Sequence, residues 1–141
     1  MVIEENFTNI GSFVITSPEA TSYNCIAWAA GDTTRWWDVT SDGYWPEGTP
    51  RRSTLGALVA AFQSQGYEVC DDSSLEEGYH KVALYADTSG DWTHAARQLA
   101  NGEWTSKLGV REDIEHEAPS SLEGALYGRV ALVMKRPILG M

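Results

Sequence analysis

The sequence predicts a single α+β domain in which helices come first and an antiparallel sheet follows. Helix caps and apolar residues at helical spacing are confined to the part of the chain before Tyr67. After it come short runs rich in Val, Tyr, Trp and Thr, and Asn101-Gly102 joins two of them as a hairpin. Helices followed by consecutive strands are the α+β pattern. At 141 residues the chain can bury one core without a disulfide or metal as compulsory support. No repeat, low-complexity segment or long linker divides it, so residues 1–141 read as one domain.

The elements follow in order. "FTNIGSFVITSPEAT" is an extended lead-in broken by Pro18. Thr21 or Ser22 can cap a first helix, "YNCIAWAA", which is short, almost wholly apolar and therefore buried, with Gly31 closing it. Residues 32–50 form an irregular segment carrying Trp36, Trp37, Tyr44 and Trp45. In the second helix, "STLGALVAAFQSQG", Ser53 is the cap, Leu55, Leu58, Val59 and Phe62 form the apolar face, and Gly66 is the stop. Strands are expected at "YEVC", "KVALYAD", "WTHAARQLA", "EWTSKLGV" and "RVALVMKRP".

Composition narrows the function. A net charge of −10 with only ten Lys and Arg argues against nucleic acid and against anionic membranes as partners. There is no apolar run of transmembrane length, and "MVIEENF" lacks the basic start of a secretory signal, so a cytoplasmic location is expected, with secretion as an effector left open. Cys25 and Cys70 form no CxxC pair, which suggests neither a zinc cage nor a disulfide framework, and no cofactor is expected.

Cys25 is the candidate nucleophile. With Ser22 as the cap it falls in the first helical turn, where unpaired N–H groups and the helix dipole favour thiolate, so it is expected to alkylate faster than Cys70. A nucleophilic thiol needs a base. Of three histidines, His80 and His116 read as solvated, whereas His94 lies in a strand among the small residues Thr93, Ala95 and Ala96. A two-residue turn at Asn101-Gly102 would set His94 opposite Gly109 with Lys107 as its diagonal neighbour; one bulge would bring Ser106 onto the face of His94 instead. Glu103 would lie about 20 Å away along the strand.

A Cys at the start of a buried helix, then a His on one strand and a polar residue on the next, resembles the papain-like cysteine peptidase superfamily. "YNCIAWA" with "HAARQLANGEWTSKLG" is similar to small bacterial proteins assigned to it. The resemblance implies a papain-like α+β fold, with the Cys-bearing helix packed on a C-terminal antiparallel sheet. It also implies a thiol hydrolase or acyl transferase acting on a protein or peptide-like substrate, with Cys25 as nucleophile, His94 as base and Ser106 as orienting residue. Where such enzymes place a Gln before the nucleophile, this chain has Glu19, Ala20, Thr21 and Ser22, so an oxyanion hole would use the Cys25 N–H and a side chain such as Asn24. Trp36, Trp37 and Trp45 are expected to line the substrate cleft, and Trp28 to sit in the core. The alternative is a catalytically inactive, acidic protein-binding module of the effector, immunity or phage-interaction type.

Overall fold

The computed structural model describes residues 7, 10, 11, 13–17, 23–40, 43–108 and 112–138. Seven strands form one antiparallel sheet: β1 (Phe13–Ser17), β2 (Glu68–Cys70), β3 (Tyr79–Ala86), β4 (Trp92–Gln98), β5 (Trp104–Lys107), β6 (Asp113–His116) and β7 (Arg129–Pro137). Their order across the sheet is β1-β6-β5-β4-β3-β7-β2. Helices α1 (Cys25–Ala29) and α2 (Leu55–Gln63) lie on one face, and a 3-10 turn (Pro119–Leu122) follows β6.

This architecture overturns the expected papain-like α+β arrangement. The described fold is largely β, with two short helices set against seven strands. The apolar stretch around Cys25 forms only five helical residues, because Asp32 N–H turns back to Ala27 O and Gly31 takes φ 83°. Meanwhile the extended lead-in becomes β1, and the acidic "DIEH" segment, which sequence patterning passed over, becomes β6 beside it.

The expected caps shift by small steps with physical causes. Thr21 and Ser22 lie outside the described residues. Asn24 caps α1, its side chain accepting from Ala27 N–H, so Cys25 is the first helical residue and not the third. Thr54, not Ser53, caps α2 through Ala57 N–H.

Each face of the sheet carries its own core. On the helix face Ile26, Leu58, Phe62, Val82, Leu84, Ala95 and Met134 pack together; on the other, Phe7, Ile10, Tyr85, Ala96, Trp104, Ile114 and Leu122 do. Strand alternation assigns the rest. Ala95, Arg97, Thr105 and Lys107 point toward α1, and His94, Ala96, Trp104 and Ser106 point away.

The β4–β5 turn fixes that assignment. Arg97 pairs with Thr105 and Gln98 with Trp104, while Leu99 N–H donates to Glu103 O at 2.7 Å. The loop is thus Ala100-Asn101-Gly102, three residues long, with Gly102 at φ 89° in the left-handed position of a bulged turn. The two-residue register is corrected to the bulged one. Ser106 shares the face of His94, and Lys107 does not.

Candidate active site

Cys25 enters the site from the helix side. Helix α1 packs on β4 and β5, and among the described residues the β4–β5 ladder is paired only at Arg97–Thr105 and Gln98–Trp104. Beside the stretch of β4 left without a β5 partner, the backbone N–H of Ala95 favours the Cys25 thiolate. The thiol is 8% exposed, and burial pushes it up to about 11 against the pull of N–H groups from Ala95, Ile26 and Cys25 itself and of the Lys107 charge. A thiol depressed by the helix start was expected; desolvation outweighs the donors of a five-residue helix.

His94 is fully buried on the opposite face and belongs to a chain of hydrogen bonds. Its Nε2 lies 3.0 Å from Ser106 Oγ, Ser106 Oγ lies 2.8 Å from His116 Nε2, and His116 Nδ1 lies 2.9 Å from Ala118 O. The protons can be placed by elimination. Ala118 O only accepts, so His116 Nδ1–H donates. Burial holds the His116 imidazole down to about 4, hence neutral, so its Nε2 accepts the Ser106 hydroxyl hydrogen. Ser106 has then spent its one hydrogen, and its oxygen accepts from His94 Nε2–H. Burial, and then the nearby His116, hold His94 well below the ordinary histidine range. Its Nδ1 is left as a buried lone pair with no hydrogen-bond partner among the described residues.

The structure therefore brings His94 and Ser106 together and leaves Cys25 without a hydrogen bond to either His94 nitrogen. His116, read from sequence as solvated, is fully buried and anchors the chain's far end. Its signal was the alternation of "DIEH", which puts Ile114 and His116 on one face of a strand.

Tyr127 is the second residue that sequence reading missed. It sits in the loop closed by reciprocal hydrogen bonds between Gly124 and Gly128, and its ring stacks on His94 with centroids 4.1 Å apart and planes 6° from parallel. Thr93 Oγ1–H donates to Tyr127 O, locking the loop onto β4. Burial and then the Cys25 charge raise the Tyr127 phenol, so the ring stacked on His94 also lies within electrostatic reach of Cys25.

The proposed substrate contacts are bound up in the fold. Asn24 Oδ1 accepts from Ala27 N–H and Trp37 N–H, and Nδ2 donates to Trp37 O at 2.6 Å, so its amide clamps the 32–50 segment onto α1. Trp37 is buried with Nε1–H on Asp32, and Trp45 is buried, stacked on Trp92 and bonded to Pro50 O. Trp36 is half-buried and its backbone carbonyl accepts from Tyr44 N–H. Trp28, expected in the core, is also half-buried, with Nε1–H donating to Thr105 Oγ1 at 3.0 Å. Among the described residues no cluster of three His, Cys, Asp or Glu could hold a metal ion, and no helix is long and apolar enough to cross a membrane.

The family model for a domain of unknown function, DUF7689, matches residues 14–135. The chain belongs to that family. The matched span contains Cys25, His94, Ser106, His116 and Tyr127. No curated protein and no solved structure matches the chain.

Proposed function

We propose that Cys25 and His94 form a thiol-dependent acyl-transfer site, held closed in this structure. The observation that supports this reading is the tautomer of His94. The Ser106–His116–Ala118 chain commits Nε2–H and leaves Nδ1 as a buried lone pair without a partner among the described residues, and the next N–H along β4, that of Ala95, favours the Cys25 thiolate. A general base needs a free lone pair and something to orient its ring. Ser106 supplies the orientation.

In this reading Nδ1 accepts the thiol proton as Sγ attacks an amide, ester or thioester carbonyl. The backbone N–H groups around the sulfur receive the developing oxyanion, and the proton passes to the leaving group. Water or another nucleophile then releases the acyl group and restores the thiol. Tyr127 covers the base until the 124–128 loop moves.

The raised thiol and the unmade Cys25–His94 bond favour the second reading, a non-catalytic binding module. Intact-mass measurement after exposure to p-nitrophenyl acetate separates the two, on a Cys70→Ser background. Acyl transfer predicts acetylation at Cys25 that Tyr127→Ala accelerates and His94→Gln slows about a hundredfold in both loop backgrounds. A rate indifferent to His94 with the loop opened makes Cys25 a core thiol and hands the lead to the binding module.

A further inference from the structure

A separate cleft lies where the 75–78 loop, the start of β3 and the end of β4 meet Ile138, with a volume of about 660 Å³. Volumes of this size accommodate small organic ligands. Leu75, Leu99 and Ile138 contribute apolar surface, and Arg97 and His80 stand at its polar side.

Arg97 is the unusual member. Its guanidinium is half-buried and packs over the Trp28 ring at 4.6 Å, yet among the described residues no hydrogen bond or ion pair engages it. The chain carries twice as many acidic as basic residues, 20 against 10, so an unmatched guanidinium is not for want of carboxylates. The Asp113 charge reaches Arg97 without a hydrogen bond to it, its Oδ2 accepting from the Tyr23 hydroxyl at 2.7 Å, and the acids at the cleft are otherwise placed. Glu76 is held by Lys135 at 3.0 Å and Lys81 at 3.5 Å, and Glu77 is exposed to water at the rim. A second cation, Arg136, lies opposite His80 across the β3–β7 ladder and packs over Tyr67. Three basic side chains thus gather at one end of the helix face with no acid of the described chain bound to Arg97. A planar guanidinium left with its donors open, next to an apolar trough, matches a carboxylate carried on an apolar chain.

We propose that this cleft binds an amphiphilic carboxylate, with Arg97 holding the carboxylate and Leu75, Leu99 and Ile138 covering the apolar chain. The site is independent of any chemistry at Cys25. Two sources share this chemistry, a fatty acid and the free C-terminus of an apolar peptide.

Calorimetric titration of the full chain with decanoate and with N-acetylated dileucine tests both sources. Saturable binding of either supports the proposal, and the tighter of the two names the source. Arg97→Gln should weaken the better ligand about tenfold or more, and Leu75→Asp, at an exposed position that leaves the core intact, should weaken it about fivefold. Decanol, which lacks the charge, should bind about tenfold more weakly than decanoate. No saturable binding of either carboxylate overturns the proposal, as does affinity unchanged in both variants, equal affinity for decanol, or tighter binding of decyl phosphate.

Discussion

At Ser106 one hydroxyl hydrogen decides the protonation pattern of two imidazoles, since donating it to His116 obliges the same oxygen to accept from His94. Ser106→Ala leaves a buried acceptor on His116 and a buried donor on His94 without partners. Each orphaned group carries its full desolvation cost, and denaturant unfolding should show a loss of about 3 kcal/mol. Cys25 obeys a different balance. Burial lifts its thiol to about 11, whereas Cys70 is half-exposed at the end of β2 and raised by less burial. Iodoacetamide at pH 8 should therefore modify Cys70 first, and Cys25 should react in the folded protein with a midpoint near its raised value. Fast labelling of Cys25 with a midpoint below about 8.5 would restore the activated-thiolate expectation and contradict the desolvated site.

Among the elements, the 124–128 loop controls access to His94, and Gly128 controls the loop. Gly128 takes φ 75°, and a Cβ there would stand 2.1 Å from Ala86 O, so no side chain fits without moving the loop from β3. Gly128→Ala should cost about 2 kcal/mol or more and speed hydrogen exchange at Thr93 and His94, because the Tyr127 ring loses its seat. Unchanged stability and exchange would mean that the loop is not held by Gly128.

Local sequence patterns announce part of this architecture. Five of the seven strands and the α2 helix follow from period-2 and period-3.6 patterns, which record burial on one face of an element. The extent of α1 and the identity of β6 do not follow. An apolar run of five to eight residues is equally at home in a short helix or a strand, and "DIEH" is half acidic because Asp113 pairs with the Tyr23 hydroxyl on the helix face. Likewise His94 and Ser106 could be placed on one face only if the turn was bulged. Their bond to His116 depended on a strand that no local pattern announced.

For the whole molecule, two histidines buried neutral make stability depend on pH. His116 falls from 6.5 to about 4 on folding, and His94 shifts in the same direction. Below pH 6.5 the unfolded chain binds protons that the folded chain refuses, so the stability these groups contribute is complete above 6.5 and is lost as pH falls toward 4. His116 alone accounts for about 3 kcal/mol of that loss. Half-buried His80, also lowered by burial, adds to it with the same sign, and Asp32, lowered far below 3.8 by its hydrogen bonds, adds a further loss only at lower pH. Urea unfolding between pH 7 and pH 4 should show the decline, and His116→Gln should flatten it. Nitrogen-15 NMR of the histidine rings over the same pH range reads the free lone pair at His94 Nδ1 itself. His94 should be neutral, protonated at Nε2 and bare at Nδ1, from pH 7 down to pH 5. A proton on Nδ1, or an imidazolium at neutral pH, would contradict it.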